Sequence, residues 1–172
     1  MKNKTIIGID PGSSNGGIAV WKNMRPVRVA KMPKNEDIDQ LRDYLQDVKE
    51  NDPNCIVFIE KVQMFGSDST DNPGKAYRIK VMLANYERII ALLIFLRIEY
   101  VEVYPISWQT TLGLKKKGQS KKDKKNSFKE YAQRCFPEIK VTLRTSDALC
   151  LVNFALQKDD IKPEWIQERI QN

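Results

Sequence analysis

A chain of 172 residues, 41% apolar and 30% charged, has the composition of an ordinary globular domain with a real core and not of a disordered polypeptide. Its net charge of +7 and isoelectric point near 9.3 favour a polyanionic partner, nucleic acid ahead of an anionic membrane surface. The absence of histidine excludes imidazole chemistry, and three cysteines (Cys55, Cys135, Cys150) without CxxC spacing argue against a zinc knuckle or a disulfide scaffold.

Met1-Lys2-Asn3-Lys4 runs straight into an apolar segment without a signal-peptide region. The most apolar stretch, Ile89 to Leu96, spans eight residues, too short to cross a bilayer. With its free cysteines, the chain reads as cytoplasmic, with no membrane partner. Thr5 to Asp10 is a β-branched run that Pro11-Gly12 breaks. Ile18 to Trp21 resumes as a strand, Met24-Arg25-Pro26 turns, and Val27 to Met32 alternates with period two, which predicts an antiparallel meander. From Asp37 to Lys49, residues Ile38, Leu41, Tyr44, Leu45 and Val48 recur at helical spacing, with Asp37 in the first turn or at the cap. The continuous apolar run Ile56 to Ile59 suits a central strand covered on both faces.

Met64 to Gly74 is polar and turn-rich, a loop beside the second acidic position. Lys75 to Arg97 predicts a long helix whose second half is apolar nearly all round, so it lies beneath other elements or against a second subunit. Glu99 to Tyr104 alternates as a strand, Ile106 to Leu112 forms a helical turn, and Ser127 to Cys135 is helical until Phe136-Pro137. A last long helix runs from Thr145-Ser146-Asp147 to about Leu156, and a short amphipathic one follows Pro163. With no repeat and no linker, residues 1–172 read as one domain.

Three acids sit at the ends of apolar runs: Asp10 after Ile6 to Ile9, Glu60 after Ile56 to Ile59, and Asp147 before Ala148 to Val152. Taken singly, each has an ordinary explanation. Asp10 suits an Asx turn before Pro-Gly, Glu60 a surface ion pair, and Asp147 the first turn of a helix. Taken together they suggest a shared site, because carboxylates at the rim of a core are costly to desolvate without a cation or donors. A hard, oxygen-preferring ion such as Mg²⁺ is the natural guest. Gly12, Gly16 and Gly17 read as a tight hairpin in preference to a phosphate cradle, and Trp21, Trp108 and Trp165 as packing aromatics. From Leu114 to Lys129 there are eight lysines and one acid. Such a run is either a solvated loop or a grip on DNA phosphates, with Lys115, Lys116, Lys117, Lys121, Lys122, Lys124 and Lys125 as candidates.

Gly8-Ile9-Asp10-Pro11-Gly12 resembles the opening motif of RuvC-type Holliday junction resolvases, crossover junction endodeoxyribonucleases of phage and bacterial type. Ile59-Glu60-Lys61-Val62 resembles their second motif and Ser146-Asp147-Ala148-Leu149 their C-terminal one. Pro105-Ile106-Ser107-Trp108-Gln109, followed by Leu112-Gly113-Leu114, is similar to a segment before their basic region, and the likeness runs from about residue 4 to 157. It implies a ribonuclease H-like α/β fold, in which a five-stranded mixed sheet has an antiparallel meander followed by parallel strands, flanked by helices.

The resemblance further implies that Asp10, Glu60 and Asp147 are catalytic and bind two Mg²⁺ ions, with Mn²⁺ as a substitute. Asp10 would touch both ions, and Glu60 and Asp147 would complete one each. Phosphodiester hydrolysis needs an activated water, a stabilised phosphorane and a neutralised leaving oxygen, which two ions about 4 Å apart can supply. The implied activity is a homodimer making paired nicks in a four-way junction, leaving 5′-phosphate and 3′-hydroxyl ends, with Ile89 to Leu96 as the dimer contact. Two positions depart from the family pattern. Arg144 stands where relatives carry an acid or histidine three residues before the last aspartate, on the same helical face, so that either the second ion has fewer protein ligands or Arg144 contacts the phosphate in its place. Gln63 stands where relatives place an aromatic wedge, so that the stacking role falls to Phe65. The alternatives are a nuclease of the same fold acting on RNA or an RNA–DNA hybrid, a junction-binding protein whose metal site has decayed, or a basic architectural DNA binder.

Overall fold

A computed structural model describes residues 4–12, 15–34, 37–63 and 73–158. Strands β1 (Ile6–Asp10), β2 (Gly17–Lys22) and β3 (Arg25–Lys31) form the antiparallel meander. Asn23 and Met24, both in the left-handed region (φ 52° and 63°), make the tight turn between β2 and β3. The turn therefore falls before Arg25-Pro26, which instead begin β3, an edge strand where a proline costs no interior ladder bond. Helix α1 (Ile38–Asn51) leads to β4 (Ile56–Glu60), and α2 (Pro73–Phe95) leads to β5 (Glu99–Val103). Strands β4 and β5 add in parallel beside β1, so the sheet order is β3-β2-β1-β4-β5. Helices α3 (Pro105–Thr111), α4 (Lys121–Cys135) and α5 (Ser146–Lys158) complete the order. This is the mixed sheet flanked by helices of the ribonuclease H-like fold.

Strand parity divides the core in two. Ile7, Ile9, Ile18, Val20, Val57 and Ile59 face Leu41, Leu45 and Val48 of α1 and Tyr86, Ile89 and Leu93 of α2. Ile6, Ala19, Ile56 and Phe58 face Trp108 of α3, Phe128 and Ala132 of α4, and the buried side of α5. Even-numbered positions of β1 and β4 thus point to the second face, since alternate residues of a strand share a side. The parallel register pairs Ile9 with Ile59, so Asp10 and Glu60 end adjacent strands one residue beyond that pair.

Helix α5 lies directly on this face. An added Cβ at Gly8 would stand 2.1 Å from the Ala148 carbonyl oxygen, and one at Gly17 would stand 2.3 Å from that of Arg144. Only glycine lets the helix start approach so closely, and that approach brings Asp147 down to the end of β1.

Helix α4 begins at Lys121, earlier than the apolar spacing from Ser127 predicts. Ser120 caps it, its Oγ accepting the Asp123 N–H at 3.1 Å and donating to the Asp123 carboxylate at 2.6 Å. Much of the lysine segment is therefore ordered helix. Position 144 also differs from expectation. It lies in a turn before α5 and not on the helical face, because Thr142 and Thr145 close that turn through mutual hydrogen bonds. Among the described residues no helix is long and apolar enough to cross a membrane. The helix expected after Pro163 lies outside the described residues.

Candidate active site

The three acids from distant parts of the sequence meet at the carboxyl ends of β1 and β4, the end of a parallel arrangement where open α/β sheets bind ligands. Asp10 is 8% exposed and Asp147 4%, and Glu60 is half-buried. Asp10 accepts the Gly12 N–H at 3.1 Å through Oδ1. The Asx turn and the shared site thus coexist in one side chain. Asp147 accepts the neighbouring Ser146 hydroxyl through Oδ1 at 2.9 Å. In place of a surface ion pair, Glu60 Oε2 accepts the indole N–H of Trp108 at 2.7 Å.

A cation enters from α4. Lys125 Nζ lies 2.6 Å from Asp147 Oδ2 and 3.9 Å from Asp10 Oδ2. Burial acts to lower the lysine pKa, but the nearby carboxylates of Asp147, Asp10 and Glu60 outweigh it and raise it. The ammonium therefore stays charged. One positive charge does not balance three acids. Burial first, then the Asp147 charge, pushes Asp10 up to about 7, against the opposing pull of Lys125 and the Gly12 N–H. Burial, then Asp10 and Asp147, pushes Glu60 up to about 8, against Trp108 and Lys125.

Lys125, one of the lysines that the sequence assigns to phosphate, instead completes the carboxylate cluster. Trp108 packs as its sequence context predicts and does more. It is fully buried, with its ring edge-to-face on Phe128 at 4.8 Å, and it also holds Glu60. Phe128 lies one helical turn beyond Lys125, so this aromatic contact fixes the phase of α4 that aims the lysine inward. The signal in the sequence is the Ser120 cap: a helix started there carries Lys125, Phe128 and Ala132 on its inner face.

The remaining cations lie elsewhere. Lys115, Lys116 and Lys117 are exposed between α3 and α4, Lys121 and Lys122 are exposed in the first turn of α4, and Arg144 is exposed beside α5. Lys124 lies 5.7 Å from the Phe128 ring centroid. An open concavity of about 710 Å³ on the flank of α4 adds Lys129 and Arg134 to Lys116, with Glu130 as its acid. Phe65 lies outside the described residues.

An all-oxygen donor set with surplus negative charge fits a hard divalent ion. The side chains do not stand as a finished cage. Among the described residues no three His, Cys, Asp or Glu groups form a metal-ready set. Trp108 holds one oxygen of Glu60, and Lys125 occupies the space between Asp10 and Asp147.

No family model matches the chain, and no curated protein matches its sequence. Solved structures do match in fold. A complex titled T. thermophilus RuvC with Holliday junction substrate superposes with a TM-score of 0.60 at 15% identity, covering 92% of this chain and 96% of that one. A Thermus thermophilus RuvC structure gives 0.58 at 16% identity, with coverage of 91% and 96%. The chain thus has the RuvC-like form of the ribonuclease H-like fold over most of its length.

Proposed function

We propose that this chain is a metal-dependent endonuclease that cuts branched DNA, with the four-way junction as its main substrate. One observation carries the reading. Carboxylates on β1, β4 and α5 converge on one face of a RuvC-like sheet, where burial and the neighbouring acids raise the pKa of Asp10 and of Glu60. Asp10, Glu60 and Asp147 would hold Mg²⁺ or Mn²⁺, two ions per site. Such ions supply an activated water and charge neutralisation at the scissile phosphate.

The chain's own groups do the rest. Trp108 holds Glu60 at a set angle, and the Gly12 N–H holds Asp10. Lys125, seated between Asp10 and Asp147, would be free to neutralise a phosphate oxygen once those carboxylates held a divalent ion. Lys115, Lys116, Lys117, Lys121, Lys122 and Arg144 offer exposed charge for the DNA arms, and the α4 concavity with Lys129 and Arg134 extends it. Such contacts position DNA by shape and phosphate and not by base sequence. A homodimer would set two sites on opposing strands, with Ile94 and Phe95 of α2, 60% and 77% exposed, at its interface.

The test is incubation with a four-way junction, a linear duplex and an RNA–DNA hybrid in Mg²⁺. Paired nicks in the junction alone are expected, and Asp10→Asn should bind the junction without cutting it. Cleavage of the hybrid alone would move the activity to RNA. A second reading has its own support, the Lys125 ammonium seated between two carboxylates that form no finished cage. On that reading the protein binds junctions and leaves them uncut at every Mg²⁺ or Mn²⁺ concentration.

A further inference from the structure

A cavity of about 310 Å³ opens beside the carboxylate cluster, with Asp10 and Glu60 in its lining. Its other walls are mostly apolar: Val62 after β4, Met82 of α2, and Tyr104, Pro105 and Ile106 at the start of α3. A site that handled only metal and phosphate would have no use for such walls. Ile106 keeps 54% of its surface exposed and Tyr104 38%, beside the buried Asp10 and the half-buried Glu60. Apolar surface left open against a charged centre is the pattern of a site for a ligand with one charged and one apolar part.

A nucleotide has that character. Its phosphate is anionic, and the base attached through the sugar has apolar faces and a polar edge. With the phosphate held beside Asp10 and Glu60 by the metal those acids would bind, a neighbouring base that leaves the stack meets the adjacent cavity. The exposed side chain of Gln63 at the mouth carries both a donor and an acceptor for a base edge. Tyr104 is suited to receive the base face. It precedes Pro105, which confines its backbone to the extended region (φ −64°, ψ 136°), and it caps α3. Lys61 Nζ, 5.3 Å from the ring centroid and 3.1 Å from Glu102 Oε2, braces it. Base–aromatic stacking is the usual way such a ring holds an unstacked nucleotide.

A second copy of the chain is the competing occupant. Its apolar candidates, Ile94 and Phe95, lie on the same helix as Met82 but about 18 Å away along the axis. The two surfaces are therefore separate.

We infer that the cavity bounded by Met82, Tyr104 and Ile106 takes the unstacked base next to the scissile phosphate of a DNA strand. The inference rests on the nuclease reading above. Cleavage rates are measured on four-way junctions carrying a single abasic site on one or the other side of the cut position. Removing the base that enters the cavity should lower kcat/KM of the wild type on the order of tenfold. Tyr104→Ala should lose a similar factor on the intact junction and little more on the abasic one. Ile106→Trp, which fills the cavity, should cut slowly while binding junctions normally.

Equal cleavage of intact and abasic junctions by the wild type would overturn the inference and leave the nuclease reading standing. So would a Tyr104→Ala loss that is the same on both. If no junction is cut, 2-aminopurine placed at the exchange point decides. Stronger quenching on binding to the wild type than to Tyr104→Ala would support the cavity while the nuclease reading falls. Equal quenching would overturn the cavity. A protein that neither cuts nor binds junctions would refute both.

Discussion

Asp10 and Glu60 hold their protons to about pH 7 and 8, against ordinary values of 3.8 and 4.5. Between those limits the folded protein retains protons that the unfolded chain has released, so stability falls as pH rises. The protonated form's advantage is complete below about pH 4 and is lost through the folded values. In metal-free buffer the melting temperature should therefore drop from pH 5 to pH 8.5, and added Mg²⁺ should restore it at the upper end. Asp10→Asn should melt higher than the wild type at pH 8 without metal, and its pH slope should flatten. A wild-type melting temperature independent of pH across that range would contradict the electrostatic coupling. The same acids that would bind metal thus destabilise the metal-free fold, a trade between stability and activity common at active sites.

At the scale of elements, the site depends on how closely α5 sits on β1. The Ala148 carbonyl occupies the place where a Cβ of residue 8 would stand, at 2.1 Å. Backbone on both sides leaves no flexible side chain to yield. Gly8→Ala should cost roughly 1–3 kcal/mol in urea unfolding and lift Asp147 away from Asp10. Its activity loss should exceed its stability loss, measurable as reduced cleavage well below the melting temperature. A folded, fully active Gly8→Ala would show that the helix can shift without harm to the site. Placement of Lys125 follows the same logic through α4, whose Ser120 cap and Phe128–Trp108 packing set its start and its phase.

For the whole molecule, the +7 charge and the lysines around α4 should make junction binding strongly salt-dependent. Replacing Lys115, Lys116 and Lys117 together by alanine should reduce the slope of log affinity against log salt by about 0.9 for each phosphate that is no longer neutralised. An unchanged slope would place the DNA path elsewhere. Oligomeric state is tested separately. Sedimentation should show a dimer for the wild type and a monomer for Phe95→Asp, with paired nicking replaced by single nicks. A wild-type monomer that still makes paired nicks would exclude the α2 interface.

Local pattern alone carries much of this protein. β-Branched runs, turn residues and helical spacing place the five strands and the main helices within a few residues, apart from the early start of α4, because periodicity and backbone preference act over short stretches. The positions of Asp10, Glu60 and Asp147 at the ends of apolar runs mark the acids that the fold gathers, since an acid at the edge of such a run is conspicuous in one dimension. Their partners are not. Lys125 meets Asp147 across 22 residues and Trp108 meets Glu60 across 48. In the sequence the first is one lysine among eight and the second one aromatic among many. Which lysine turns inward, and which indole holds the acid, is set by the phase of α4 and the packing of α3 on the sheet. Those are choices made by long-range burial, which no local pattern encodes.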